Sequence, residues 1–143
     1  MPVLVLFCAL LLGACATVGG LERANLSGRK DALPFSHVVT AGDFVFLAGT
    51  LGLDPKTSQA PSDPEAEARL MLDDLRAKLE LVGLGMEDLV QVTVFCPDLT
   101  LYDLFNKVYA AYFRSGFPTR AFIGSGPLLR GCRFEIQGIA ARR

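Results

Sequence analysis

The sequence predicts an α+β domain in which two helices cover one face of a single mixed sheet. The first observation is a set of apolar runs of strand length, at residues 38–40, 44–49, 89–96, 120–123 and 132–140. The second is a pair of longer segments, residues 65–82 and 101–112, in which apolar residues recur at helical spacing. The third is their order, β-β-α-β-α-β-β, because strict alternation of strand and helix would instead favour a parallel sheet.

Helix signals support the two helical segments. Asp63 precedes a proline and suits the N-cap of the first helix. Leu75 and Leu79 recur on one side of that segment, and Gly83 is expected to end it. Thr100 is expected to cap the second helix.

The strands at residues 89–96 and 132–140 alternate between apolar and polar residues, which predicts one buried face and one polar face. In the first of them, the residues expected on the buried face are Val90, Val92, Val94 and Cys96. In the second, the residues expected on the buried face are Cys132, Phe134, Ile136, Gly138 and Ala140.

The other face of this sheet combines Glu135, Gln137 and Gln91 with several apolar groups. A face of this mixed composition is poorly suited to water. Further copies of the chain can cover it, so the sequence favours a homo-oligomer whose interface also lines pockets.

The N-terminus is expected to be a cleaved export signal at residues 1–14. Residues 3–15 are nearly all apolar, and no charged side chain occurs before Glu22. The run is shorter than the ~20 residues that span a bilayer and suits the apolar part of a signal peptide. It ends in Leu-Gly-Ala-Cys, which resembles a bacterial lipobox, so Cys15 is expected to be lipidated. The absence of Lys and Arg ahead of the run departs from the usual pattern.

Residues 15–32 are small, polar and unpatterned, and we expect a flexible tether that leads to a domain at residues 33–143. This organisation predicts a lipoprotein of the bacterial envelope, anchored in the periplasm through its lipid. Two alternatives stay open: a buried N-terminal strand or helix, and a misassigned start codon, which would leave the protein in the cytoplasm.

Charge and cysteine usage exclude some functional classes. The formal net charge is −1 and the basic residues form no stripe, which argues against a nucleic-acid partner. Cys96 and Cys132 lie on apolar faces of predicted strands, so packed free thiols are expected, although a disulfide stays open in an oxidising compartment. The sequence contains no metal-ligand cluster or nucleotide-binding loop.

Arg120 and Glu135 are the charged pair most suited to a site. Each lies in a predicted strand, and two strands joined by a turn can bring an arginine and a glutamate fifteen residues apart together. The alternative is a structural salt bridge or two solvated charges, which are common and contribute little.

Six segments in unbroken order from residue 33 onward carry a resemblance to a known family. They are Leu-Pro-Phe-Ser at 33–36, Val-Phe-Leu-Ala-Gly at 45–49, Val-Thr-Val-Phe at 92–95, Asn106 with Tyr109, Phe-Pro-Thr-Arg at 117–120 and Phe-Glu-Ile-Gln-Gly-Ile-Ala at 134–140. Together they resemble the successive motifs of the reactive intermediate deaminase (RidA/YjgF) family.

The resemblance implies a chorismate-mutase-like α+β fold and a homotrimer with its helices outside. Active sites would lie in the clefts between subunits. It also implies hydrolysis of 2-imino and 2-enamino acids to 2-keto acids and ammonia, without metal or cofactor. The alternative is a non-catalytic trimer of the same fold that binds a small carboxylate.

The family's functional positions carry over residue by residue. The arginine that binds the substrate carboxylate matches Arg120, and the strand glutamate that positions water matches Glu135. The helix asparagine matches Asn106, and the glycine of the Ser-Gly-Gln block matches Gly49.

Four positions depart from the family pattern, and each becomes less polar or smaller. They are Phe35 in place of Tyr, Ala48 in place of Ser, Thr50 in place of Gln and Phe122 in place of Cys. Phe35 and Phe122 stay expected substrate contacts, but the substrate they select is left open.

Overall fold

The computed structural model of the protein describes residues 20–27 and 33–143. It contains one six-stranded sheet with the strand order β1-β2-β3-β6-β4-β5. The strands are β1 Glu22–Ala24, β2 Val38–Ala41, β3 Phe44–Leu51, β4 Leu89–Cys96, β5 Thr119–Gly124 and β6 Glu135–Ala141. Only β4 and β5 pair in parallel among these strands, so the predicted mixed sheet is confirmed.

Two helices accompany the sheet, as predicted: α1 Pro64–Glu80 and α2 Tyr102–Ala110. The Asp63 carboxylate caps α1 by accepting hydrogen bonds from two backbone N–H groups of the first turn. Asp98, and not Thr100 as predicted, caps the 3-10 turn that leads into α2. Its carboxylate accepts from the Thr100 N–H at 3.0 Å and from the Thr100 hydroxyl at 2.6 Å.

The core lies between the sheet and the helices. Val94 and Ile136 occupy neighbouring positions of β4 and β6 and are fully buried, as is Leu75 of α1. The strand alternation predicted for β6 is confirmed by burial of Ile136 and Ala140. Helix α1 packs against β3, β6 and α2. Helix α2 contacts the same face through Phe105, whose ring centre lies 5.3 Å from that of Phe122 in β5.

A register shift in β4 overturns one predicted core residue. The pairing with β6 skips Val90, so that Leu89 lies opposite Ala140 and Gln91 opposite Ile139. Leu89 consequently enters the core, whereas Val90 is 43% exposed. The prediction for Val90 was wrong because a β-bulge restarts the alternation.

The start of β6 also differs from the prediction. Cys132 and Phe134 are buried as expected but precede the strand. The buried Glu67 carboxylate of α1 accepts from the backbone N–H groups of Arg133 and Phe134, at 2.6 and 3.1 Å. These N–H groups therefore bond to a helix side chain and not to a neighbouring strand.

The predicted tether is partly wrong, because Glu22–Ala24 form the edge strand β1 and pair with β2. The following residues are fixed to the start of β2 by two hydrogen bonds. His37 Nδ1 accepts from the Leu26 N–H at 3.1 Å, and Asn25 Oδ1 accepts from the His37 N–H at 2.9 Å. The export signal and Cys15 lie outside the described residues.

Two further expectations concern the thiols and the membrane. Cys96 and Cys132 are both buried and free, which confirms the packed-thiol prediction. Burial raises the pKa of the Cys132 thiol to about 11 and also raises that of Cys96. No helix in residues 20–27 and 33–143 is both long and apolar enough to cross a bilayer.

Candidate active site

Arg120 lies near the start of the edge strand β5, opposite Val92 of β4, on the face that the helices cover. One guanidinium nitrogen donates to the Asn106 side-chain oxygen of α2 at 2.6 Å. This charge-assisted hydrogen bond fixes the orientation of the planar group. The structure therefore places Arg120 and Asn106, two of the predicted site residues, side by side.

Aromatic rings surround the Arg120 guanidinium. Its central carbon lies 4.7 Å from the centre of the Tyr109 ring and 5.8 Å from that of Phe122. The rings of Tyr102 and Phe105 lie at 5.7 and 5.8 Å. Such contacts hold a cation by electrostatic attraction to the ring faces while leaving its N–H groups available to a ligand.

A pocket of about 410 Å³ opens beside this arginine. Arg120 and Asn106 supply its polar groups. Its remaining lining residues are Tyr109, Ala110, Phe117 and Pro118. A largely apolar pocket with a few converging polar groups is the usual form of a small-molecule site.

Glu135 lies on the other face of the sheet. Its neighbour Ile136 points into the core, and its partner across the ladder is Phe95 and not Val94. Since alternate residues of a strand face opposite ways, the Glu135 side chain points away from the helices. No salt bridge joins Glu135 to a cation within the described part of the chain.

Gly49 is the predicted site residue that lies against Glu135. A Cβ atom at this position would overlap Glu135 Oε1, so only glycine lets the carboxylate approach the β3 backbone. The site residues of one chain therefore form two groups. Arg120, Asn106 and Phe122 lie on the helix side, while Glu135 and Gly49 lie on the open side.

A polar contact in the core fixes the backbone around Gly49. The pairing of β3 with β6 shifts register between Leu47 and Thr50, which turns Thr50 into the core. The Thr50 hydroxyl accepts from Lys78 Nζ of α1 at 2.6 Å and donates to the Ala48 carbonyl at 3.1 Å. Thr50 thus replaces the family's glutamine with a side chain that faces the helices.

The remaining predicted contact, Phe35, lies before β2 and is 48% exposed. Its ring centre lies 6.1 Å from that of His37. The Phe122 ring, by contrast, packs at the site between Tyr102 and Phe105, at 5.1 and 5.3 Å.

Sequence reasoning did not find the aromatic surroundings of Arg120. Tyr102, Phe105 and Tyr109 are spaced by three and four residues along α2, which is ordinary spacing for a helix face that packs on a core. No sequence signal distinguishes that role from contact with a cation, because the distinction depends on where β5 places Arg120.

Comparison with solved structures first identifies the fold, which is that of the YjgF and TdcF proteins. Its sheet and two helices superimpose on the crystal structure of the YjgF gene product of Escherichia coli with a TM-score of 0.74 and 34% identity, over 79% of this chain and 91% of that one. Escherichia coli TdcF, crystallised with bound serine, matches with a TM-score of 0.74 and 32% identity, over 77% and 89%.

Sequence comparison then gives the family. The family described as endoribonuclease L-PSP matches residues 29–142. The 2-iminobutanoate/2-iminopropanoate deaminase of Escherichia coli K12 is 34% identical over 113 residues, 77% of this chain and 88% of that protein. The chain belongs to this family, the RidA/YjgF family of the resemblance, and relatives of this name support a deaminase function.

Proposed function

We propose that this protein hydrolyses reactive 2-imino and 2-enamino acids to 2-keto acids and ammonia. Water adds to the C=N carbon, the C–N bond breaks, and the nitrogen leaves as ammonia with protons drawn from that water. A 2-enamino acid first becomes the 2-imino acid by proton transfer to carbon. The observation that carries the proposal is the Arg120 guanidinium, held by Asn106 at the pocket.

In this proposal Arg120 binds the substrate carboxylate. The guanidinium has five N–H donors, and the Asn106 oxygen is the hydrogen-bond acceptor that holds it within the described chain. Two parallel hydrogen bonds to a carboxylate fix the plane of the adjacent C=N group. Phe122 and Phe35 are further proposed substrate contacts.

Glu135 orients the attacking water and accepts its proton in this proposal. Gly49 lets the carboxylate lie against the β3 backbone. Since imines already hydrolyse in water, positioning of the reactants accounts for the acceleration that is needed.

The two groups of site residues lie on opposite faces of one sheet, which supports a site shared between subunits. We propose a homotrimer in which Arg120 of one subunit and Glu135 of the next line one cleft. The mixed composition of the open face, with exposed Phe46 beside Gln91 and Gln137, supports an interface there.

A second candidate is a trimer that binds small carboxylates without turning them over. The apolar character of three of the four departing positions favours it, because Phe35, Ala48 and Phe122 offer fewer groups to hold water. In that case Arg120 would bind carboxylates normally and Glu135 would have no role in turnover.

Kinetics of single variants test the function. Imines are generated from amino acids by an amino-acid oxidase, and their decay is followed with purified protein. Arg120→Lys should lose nearly as much kcat/KM as Arg120→Ala, about 3 kcal/mol, because an ammonium replaces a planar fork by a point charge. Glu135→Gln should bind substrate but turn it over slowly. Arg114→Ala, at an exposed arginine outside the pocket, is the control.

Thermal melts of the same samples separate a site role from a structural one. Both site variants should remain folded trimers. An Arg120→Ala trimer that hydrolyses imines at the wild-type rate would end the deaminase assignment of this site. A wild-type trimer that binds carboxylates but does not accelerate imine decay would favour the binding protein.

Mixing of inactive subunits tests the shared site. Arg120→Ala and Glu135→Gln chains, co-expressed with different affinity tags and purified through both tags, should form mixed trimers with about a third of the wild-type activity, because each has one intact site of three. The reason is that an intact site needs a Glu135→Gln subunit to supply Arg120 and its neighbour to supply Glu135. Mixed trimers without recovered activity would place both residues of each site in a single subunit.

We also propose an envelope location. In this proposal residues 1–14 are removed, Cys15 carries a lipid and the residues up to β1 connect it to the domain. The apolar run and Leu-Gly-Ala-Cys at residues 12–15 support it.

A further inference from the structure

Two aromatic residues line the pocket beside Arg120. They are Tyr109 and Phe117, whose rings lie nearly parallel with centres 6.3 Å apart. Phe113 packs against both, at 4.8 Å from Tyr109 and 5.5 Å from Phe117. Ala110 and Pro118 complete the apolar lining.

Phe117 presents much of its ring to the outside of this group. It is 65% exposed, more than Phe44 or Phe46 of the open sheet face. A phenyl ring exposed at the edge of an aromatic group can make a further edge-to-face contact. The pocket of about 410 Å³ has room for a side chain much larger than a methyl group.

We propose that this pocket receives the substrate side chain and selects 2-imino acids whose side chains are aromatic. This inference rests on the proposed function, because it takes Arg120 as the carboxylate-binding group. In a phenylalanine imine the benzyl group begins two bonds from the carboxylate carbon. With that carboxylate on Arg120, the benzyl group can reach the Tyr109 ring, whose centre lies 4.7 Å from the guanidinium carbon, and Phe117 beyond it.

Two other classes of side chain fit this pocket less well. A second carboxylate, as in an imine from glutamate, would meet Phe117, Pro118 and Ala110 and would lose its hydration without a partner. A methyl group would leave most of the aromatic surface in contact with water. Removal of a single methylene from an apolar side chain already changes kcat/KM by roughly 10-fold or more. The difference in kcat/KM between a methyl and a benzyl side chain should therefore exceed that.

The first test compares imines made from alanine, leucine, phenylalanine and glutamate. We expect kcat/KM to rise from alanine to phenylalanine by at least tenfold and to be lowest for glutamate. Ala110→Trp fills the pocket from an exposed position of α2, so it should lower kcat/KM for the phenylalanine imine far more than for the alanine imine and thereby remove the preference. Ala111→Trp, at the next and also exposed residue, is the matched control and should keep the preference.

The second test measures binding without turnover. Because the sequence contains no tryptophan, the indole in Ala110→Trp is the only indole of the protein and can be excited selectively. Phenylpyruvate, the aromatic 2-keto acid, should raise the melting temperature of the wild-type protein more than pyruvate does at equal concentration. It should also quench the indole in Ala110→Trp at high concentration but leave that of Ala111→Trp unchanged.

The outcomes separate this inference from the proposed function. Failure to hydrolyse any imine, with phenylpyruvate still bound in preference to pyruvate, rejects the deaminase and retains the aromatic pocket. Hydrolysis of all imines at similar rates, or an unchanged preference in Ala110→Trp, rejects the aromatic pocket and retains the deaminase.

Discussion

At the scale of single residues, Tyr109 combines two roles that conflict. Its ring supports the Arg120 guanidinium, but its buried hydroxyl has no hydrogen-bond partner within residues 20–27 and 33–143. Burial raises the pKa of Tyr109 to about 12, although the nearby Arg120 charge acts in the opposite direction. An unpaired buried hydroxyl is destabilising, so the ring and not the hydroxyl accounts for this residue.

Replacement of Tyr109 by Phe should therefore leave the melting temperature at pH 7 unchanged or raise it. The wild-type residue ionises more easily in the unfolded chain, near pH 10, than in the folded one. The part of the free energy of unfolding that depends on a neutral Tyr109 is complete below pH 10 and is lost as the pH rises toward 12. Between pH 8 and 11.5 the melting temperature should fall less steeply with pH for Tyr109→Phe than for the wild type.

Tyr112 provides the contrast. Burial raises its pKa to about 12 as well, but its hydroxyl donates to Asp73 at 3.0 Å. Tyr112→Phe should thus lower the melting temperature already at pH 7. Equal losses at pH 7 in the two variants would show that the Tyr109 hydroxyl is paired.

The family motif singled out Arg120, Asn106 and Glu135 together, but their placement across the sheet was not predictable. The match of Arg120 and Asn106 to the family motif anticipated two side chains that lie 2.6 Å apart. Alternation along β6 correctly placed Glu135 on the polar face. The expected approach of Glu135 to Arg120 depended on strand order, and β4 lies between their two strands. Sequence separation carries no information about that order.

At the scale of elements, β-bulges decide which residues the sheet presents. The bulge in β3 places Thr50 in the core and brings Gly49 against Glu135. The bulge in β4 exchanges Leu89 for Val90. A simple period of two cannot anticipate either change, since one added residue reverses every later side chain.

Gly49→Ala tests the role of the β3 bulge. The added methyl group would overlap Glu135 Oε1, so the carboxylate must move away from the β3 backbone. Because a displacement of about 1 Å can cost on the order of 100-fold in rate, kcat should fall strongly. The melting temperature should change little, because the Glu135 side chain can rotate and Gly49 has an ordinary negative φ.

The control for this variant is Gly126→Ala. Gly126 also has an ordinary φ, and an added Cβ there would meet no atom within 4 Å. Its kinetics should equal those of the wild type. A Gly49→Ala protein with full activity would mean that the position of the Glu135 carboxylate is not needed for turnover.

The short strand β1 shows what composition could not predict. Glu22–Ala24 lack an apolar pattern because β1 is an edge strand with largely exposed side chains. Backbone pairing with β2 holds β1 in the sheet, and backbone hydrogen bonds leave no trace in side-chain periodicity. The longer, half-buried strand β4 has both signals, and its predicted bounds match the observed ones.

At the scale of the whole molecule, the open face of the sheet predicts assembly. Phe44 and Phe46 are 51% and 45% exposed on this face, beside the polar Gln91 and Gln137. Phe46→Asp should yield monomers in light scattering, because a charge would be buried in the interface without a partner. Leu81→Asp, at an exposed apolar position that follows α1, should remain a trimer.

Imine hydrolysis links assembly to the site. If the cleft is shared, the Phe46→Asp monomer should stay folded by circular dichroism but be as inactive as the Arg120→Ala variant. A wild-type protein that is entirely monomeric at micromolar concentration would contradict the trimer and, with it, the shared site.

The last prediction concerns the attachment of the molecule to a membrane. β1 begins seven positions after Cys15, so a lipid on Cys15 would hold the start of the sheet within about 25 Å of its anchor, given ~3.5 Å per extended residue. In a bacterial host Cys15→Ala should move the protein from the membrane fraction to the soluble fraction. Cys8→Ala, at the other cysteine of the apolar run, should leave it anchored. Intact mass of the purified wild-type protein decides the chemistry: lipidation requires loss of residues 1–14 and the added mass of acyl chains, whereas an unmodified chain that retains Met1 or Pro2 would contradict both cleavage and anchoring.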